Sequence, residues 1–367
     1  MPHSPVEALK KSLRWFETSG VLTPPDGSEG VAERIVLTAG NNALEEIRRS
    51  FPQRIERPGE WILTHRRPDC CFQTALLFLL AGEKLKDAER GKTGERILEY
   101  LFLRSGLRRG ALWHWSTIDI NGESLWFDDN GWCAAIELYL AKRFPELDRR
   151  FGLAETGRAA AAELKEGVFR VIDSEAEVKH GSWPDKRFLG DPRQPHWGVP
   201  VCAALALTGD TGAVNGYFDK TMPRLKEFGC SEAAYAFLGA ALGAALTGNR
   251  KLEQSAAELA AMLAARCDPA TGLPPSDHCE APVGTGLADL VYTVNWYAAG
   301  LALYPPERER FLKMREFLVS IQDDAGCWRG MYDLSAGTWG GGNRHEGGAA
   351  GIYTGWTNTV IALTMLR

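Results

Sequence analysis

Apolar positions recur at helical spacing along most of the chain, and strand-like alternation is scarce. Helices are predicted over residues 6–17, 94–104, 133–142, 159–165, 201–207, 232–246, 252–265, 290–303, 307–321 and 352–366. They fall into two kinds. Residues 94–104, 252–266 and 307–321 carry charge on one face, whereas 233–246 and 360–366 are apolar nearly all round, as buried helices are. The two kinds alternate. Each amphipathic helix is followed by a loop rich in Gly, Trp, His and Asp, then by an alanine-rich apolar helix. The loop-to-apolar units begin near Trp61, Trp113, Trp183, Gly229, Leu273 and Trp328, which makes a degenerate sixfold repeat. Residues 6–17 supply an outer partner for the first unit, and residues 19–59 form a long first connection with a short helix at 42–50.

A single such hairpin cannot bury its apolar helix, but a closed ring of neighbours can. The expected fold is therefore all-α, an (α/α)6 toroid of six helical hairpins. No proline-rich or low-complexity linker divides it, so residues 1–367 are expected to form one domain.

Composition narrows the partners. With 42 Lys and Arg against 47 Asp and Glu, the net charge of −5 lacks the clustered cations that nucleic acid or an anionic membrane demands. No apolar run reaches the roughly 18–20 residues of a membrane span, and no secretory leader is evident. The eight cysteines form no CxxC pair and read as reduced, core-filling thiols, so a cytoplasmic location is expected. The oligomeric state is left open.

The six loops entering the apolar helices should gather at one end of the ring. They hold six of the seven histidines, among them His180, His196, His278 and His345, and most of the 12 tryptophans. Tryptophans beside carboxylates and histidines suit a cleft that stacks pyranose rings, although they would also plug a wide ring end. Trp113, Trp115, Trp126, Trp132, Trp183, Trp197 and Trp356, with Asp69 and the four histidines, are the candidate substrate contacts, and the partner is a carbohydrate. The sharpest segment is SLWFDDNGWC, residues 124–133. Asp128 and Asp129 precede an apolar helix; one residue suffices for a cap, and adjacent carboxylates should split their pKa values into one acid and one base. Glycosidic cleavage needs that division.

The run WFDDNGW before an Ala/Leu helix resembles the paired-Asp motif of glycoside hydrolase family 76, within the six-hairpin glycosidases. The resemblance implies a nucleophile at Asp128 and an acid/base at Asp129, and residues 180–207 resemble that family's next hairpin. A second resemblance is to the unsaturated uronyl hydrolases of families 88 and 105, which place Asp69, Asp129 and the His180–Trp183 loop in corresponding order and would use Arg66, Arg67 or Arg193 to hold a uronate. FLVSIQDDAGCW, residues 317–328, resembles the Q-W repeat of terpene cyclases and prenyltransferases, which braces an outer helix against the next loop. N-acylglucosamine 2-epimerases share the ring and use histidine pairs, which keeps that activity open. So does a non-catalytic glycan-binding toroid. Asp277, His278, Cys279 and Glu280 are consecutive and cannot all reach one tetrahedral ion, so neither a metal nor another cofactor is expected.

Overall fold

Six inner helices close on themselves. In the computed structural model, which describes residues 4–116, 125–173 and 188–367, the helices in chain order are α1 (Pro5–Thr18), α2 (Leu44–Ser50), α3 (Pro68–Leu85), α4 (Ala88–Leu103), α5 (Phe127–Arg143), α6 (Pro145–Phe151), α7 (Leu153–Ile172), α8 (Pro195–Thr208), α9 (Thr211–Thr221), α10 (Cys230–Thr247), α11 (Arg250–Arg266), α12 (Val294–Leu303), α13 (Arg308–Ser320) and α14 (Val360–Thr364). Inner helix α3 packs on α5, α5 on α8, α8 on α10, α10 on α12, and α12 on α14; α14 and the π-helical turn before it return to α3. Outer helices α4, α7, α9, α11 and α13 back α3, α5, α8, α10 and α12.

Sequence explains the two layers. The inner helices are built from Ala, Gly and Leu, so their backbones approach closely. Gly131 in α5 shows how closely: a Cβ there would lie 2.6 Å from the Pro200 and Val201 backbone of α8. Helix α10 is, by length and composition alone, long and apolar enough to cross a membrane, but 67% of it is buried and it contacts α8, α11 and α12 in the ring. The 18-residue length exceeds what the sequence reading allowed for any apolar run.

Three expectations are corrected. Helix α1 does not simply pair with the first unit. It packs against α13 and α14, with Phe16 edge-on to Phe78 of α3 at 5.9 Å, and so fills the seam between the last unit and the first. Residues 352–366 are not one helix: they run through a strand, a π turn at Thr354–Thr359 and then the short α14. Strands also stitch the loop face together. β1 (Arg34–Leu37), β2 (Arg54–Arg57) and β3 (Glu60–Leu63) come from the long first connection. β4 (Arg108–Arg109) and β5 (Leu112–Trp113) form a small hairpin, and β6 (Leu125–Trp126) lies parallel to β7 (Phe188–Leu189). β8 (Leu287–Asp289), β9 (Met331–Asp333) and β10 (Thr338–Trp339) form a three-stranded sheet, and β11 (Gly351–Tyr353) joins the other side of β1. β1 pairs Ile35 with Ile62 and with Ile352, tying the first loop to the last.

The Q-W segment braces as its resemblance implies. Gln322 Nε2 donates to the carbonyls of Ala8 in α1 (2.9 Å) and Gly326 (2.8 Å). Trp328, fully buried, donates from its indole to the Leu318 carbonyl of α13 at 2.7 Å. Gly326 has φ +98°, and a Cβ on it would meet the Lys11 carbonyl oxygen at 2.4 Å, so only glycine fits. Trp328→Ala should lower unfolding free energy by ~3–5 kcal/mol, as large-to-small changes in packed cores do. An unfolding free energy from denaturant titration within about 1 kcal/mol of wild type would contradict this brace.

Candidate active site

The loop face carries a closed collar of rings. Trp115 stacks on Trp126 (centroids 5.8 Å apart), Trp126 on Trp197 (5.1 Å), and Trp197 leans on His196 (4.3 Å). His196 meets His278 edge-on at 5.3 Å, His278 stacks on Tyr292 (3.8 Å), and Tyr292 tilts toward Trp356 (6.4 Å). The circuit closes through Arg67, whose guanidinium lies 3.8 Å from the Trp356 ring centre and 4.1 Å from that of Trp115. Most of these residues come from the start of an inner helix or the loop before it. Side chains at those positions project past the helix end, which is why residues far apart in sequence converge here.

Arg67 anchors the acidic side. Its guanidinium holds Asp129 at 2.6 Å and Asp69 at 3.3 Å, and all three are buried. The indole N–H of Trp115 donates to the other Asp129 oxygen, and that of Trp356 donates to Asp69 at 2.6 Å. Asp128 differs. It is half-buried, and its buried Oδ1 has no hydrogen-bond partner among the described residues.

Neither carboxylate caps the helix. Trp126 occupies the cap position of α5 without a side-chain cap bond. Asn130 is engaged elsewhere: it accepts from the Trp113 N–H (2.7 Å) and donates to the carbonyls of Trp113 (2.9 Å) and Trp126 (3.1 Å). Asn358 holds Trp328 and Tyr353 in the same way, with bonds of 2.8, 2.9 and 2.8 Å. This shared clamp is a physical trace of the repeat.

Electrostatics separates the two aspartates. Burial pushes Asp129 up to about 7, although the Arg67 charge beside it pulls the other way. Burial raises Asp128 well above the ordinary carboxylate range, and the neighbouring Asp129 charge raises it further. Asp129, on Arg67, therefore ionises first and Asp128 keeps its proton near neutrality.

The opposite side of the collar is imidazole. Glu232 contacts His196 Nδ1 closely and accepts the His196 backbone N–H at 2.9 Å. Burial raises the Glu232 pKa, but the attraction and hydrogen bonds of His196 outweigh it and leave Glu232 below the usual range. Burial lowers His278 to about 3, so its ring is neutral. Among the described residues His196, Glu232 and His278 alone bring three metal-ligating atoms within 4.8 Å of one another. His278 Nδ1 accepts the Glu280 N–H at 3.1 Å, however, which puts the ring proton on Nε2. In this arrangement Nε2 offers a hydrogen rather than a lone pair, which suits a substrate oxygen better than a cation.

The structure thus brings together Asp69, Asp128, Asp129, Trp115, Trp126, His196, Trp197, His278 and Trp356. Trp132 is not in the collar itself but stacks on Trp296 at 5.4 Å, which meets Tyr235 at 4.8 Å. Trp113 is not at the mouth. It is 2% exposed, packed edge-on against Phe72 and Phe102, with its indole donating to buried Glu137 at 3.0 Å. His345 also stands apart, stacked on Phe51 at 5.2 Å. His180 and Trp183 lie outside the described residues. Arg66, tied to the Glu29 and Thr64 carbonyls, and Arg193, paired with Asp191, are two of the residues the resemblance offered for holding a uronate. Sequence reasoning missed the bridging function of Arg67 as well as Glu232, Tyr235, Tyr292 and Trp296. Arg67, just before the apolar run of α3, was the one detectable signal, because a cation there needs a buried partner.

No protein-family profile matches the chain, and no curated protein matches it by sequence. Solved structures do. A D-mannose isomerase superposes with TM-score 0.57 at 13% identity, covering 98% of this chain and 96% of that one. The α-1,6-mannanase GH76A of Salegentibacter sp. HEL1_6 gives 0.55 at 12%, covering 99% and 100%. An unsaturated glucuronyl hydrolase specific for heparin gives 0.56 at 12%, covering 99% and 95%. The fold is the six-hairpin toroid of these enzymes. An inactive variant of the same mannanase, with two adjacent aspartates replaced by asparagine, was solved with α-1,6-mannotriose.

The raised carboxyl pKa values predict a pH-dependent stability. The native state keeps protons that an unfolded aspartate, with a pKa of ~3.9, has released, so stability falls as pH rises from that value toward 7. Asp128→Asn removes its share of this loss. The variant should melt higher than wild type at pH 7, with the gap closing toward pH 4. A pH-independent gap would contradict the buried, protonated Asp128.

Proposed function

We propose that the protein hydrolyses a glycosidic bond in an oligosaccharide, with Asp128 and Asp129 as the acid and base. The observation that carries this reading is the unequal holding of two adjacent carboxylates: Asp129 is paired with Arg67 and Trp115, whereas Asp128 is half-buried with an unpartnered Oδ1. Asp128 protonates the leaving oxygen. Asp129, held on Arg67 and Trp115, attacks the anomeric carbon or activates water. This allotment reverses the roles that the family 76 resemblance implies. The two adjacent aspartates exchanged in the mannanase variant support the pair itself. The tryptophans stack largely on one another and on Arg67, so the collar meets a sugar mainly through ring edges and polar groups.

The uronyl hydrolase reading is weaker, because the charge of Arg67 is matched by Asp69 and Asp129 and is not free for a uronate. A specific observation favours a second activity, sugar isomerisation or epimerisation. Neutral His278 presents an N–H, and Glu232 orients His196 so that its other nitrogen can accept a proton. An electrophile and a base placed in this way suit proton abstraction next to a carbonyl.

Asp128→Asn and Asp129→Asn should each lose at least ~10³-fold in rate while staying folded. The pH–rate profile should rise through about 7 as Asp129 ionises and fall at higher pH as Asp128 loses its proton. Products from a glycan panel, followed by mass, separate the readings: hydrolysis adds water to split the chain, whereas isomerisation leaves mass unchanged. Full activity in both variants would remove the pair from the mechanism.

A further inference from the structure

A second polar cluster lies behind the collar, where β1 meets β11. Arg34, in β1, is 1% exposed. Its Nη1 donates to Glu346 (3.1 Å) and to the Tyr353 hydroxyl (2.5 Å), and its Nε contacts Glu33 at 3.0 Å. Its guanidinium lies between the rings of Phe51 (4.6 Å) and Tyr353 (4.9 Å). Its Nη2 is buried and has no hydrogen-bond partner among the described residues, an expensive state for a charged donor. His345 Nε2 is likewise buried without a partner.

Arg34 and His345 are among the residues that line a small, partly open recess. Arg344, Asn343 and Tyr353 line it too, and no carboxylate does. Asn343 uses its Oδ1 to accept the Ala350 N–H at 2.7 Å, which leaves its amide N–H₂ as a donor. Arg344 is exposed and gives one nitrogen to the Cys279 carbonyl at 3.2 Å. Glu33 and Glu346 offset the Arg34 charge through Nε and Nη1, and neither is part of the recess wall. Two arginines and an amide therefore converge on a hollow that supplies no anion of its own.

We propose that this recess binds a compact oxyanion, a carboxylate, sulfate or phosphate, through Arg34, Arg344 and Asn343. The planar fork of a guanidinium matches such groups in pairs of hydrogen bonds. The site is next to the collar: Tyr353 stacks on Trp356 at 5.5 Å, and Trp356 covers Arg67. The oxyanion is either a substituent of a sugar or a free ion. The proposal stands apart from the hydrolase reading, because binding here requires no turnover.

The test is thermal shift and calorimetric titration of the full chain at fixed ionic strength. Inorganic phosphate, sulfate, glucuronate and glucose 6-phosphate are the probes, with neutral glucose as control. At least one oxyanion should bind saturably with 1:1 stoichiometry, and glucose alone should not compete for it. Tighter binding of the sugar-borne anions than of the free ions identifies a substrate substituent, and equal binding identifies a free ion; both support the site. Arg344→Ala, on an exposed side chain, should weaken binding roughly 10-fold or more, while Arg150→Ala on α6 leaves it unchanged. Absence of saturable binding by all four anions, or equal affinity in Arg344→Ala, would overturn the proposal, whatever the outcome for hydrolysis.

Discussion

The guanidinium of Arg67 has left water, and much of the site follows from how it is compensated. A buried cation is tolerated only with matched charge and saturated hydrogen bonds; removing one partner typically costs about 3–5 kcal/mol. Here the first unit provides Arg67 and Asp69, the second provides Asp129 and Trp115, and the last provides Trp356. One ion cluster thus fixes three loops at the point where the ring closes. The same cluster leaves Asp128 beside a charge it does not share, which holds its proton in place.

The closure has a second layer. The sheet that joins β1 to β11 buries Arg34 with Glu33 and Glu346, and burial pushes Glu33 up to about 7. His65 lies between the two clusters. Burial and then the charges of Arg34 and Arg67 hold its pKa well below the usual imidazole range, so it is a neutral spacer between two cations. Charged groups are concentrated at this seam, whereas the inner helices beneath it pack through alanine and leucine. Packing makes the ring, and ion pairs set how its first and last loops meet.

Much of this is written in the sequence in a readable form. Alanine-rich runs such as α10 can only be interior, and their alternation with charged helices specifies the ring. Asp128 and Asp129 stood out because two carboxylates exceed what a helix start needs, and the helix indeed uses neither as a cap. Other features depend on partners that spacing does not reveal. Trp113 shares the loop position of Trp115, yet it points into Phe72 and Phe102, residues of α3 and α4 whose approach is fixed only by packing. Glu232 looks like an ordinary first-turn acid until His196 meets it from another helix. The short strands at the loop face, of two to four residues, are too brief for alternation to register. The sixth apolar run hides its π turn because Thr354–Thr359 has helical spacing without a regular helical ladder.

The central claim is that the Arg67-bound carboxylates and Asp128 share protons unequally, with Asp128 neutral at physiological pH. Carboxyl ¹³C NMR titration of aspartate-labelled protein, assigned with the Asp128→Asn and Asp129→Asn variants, measures this directly. One resonance absent from the Asp128→Asn variant should remain protonated at pH 7, and the Asp129 resonance should titrate near 7. Titration of both in the ordinary range around ~4 would contradict the account.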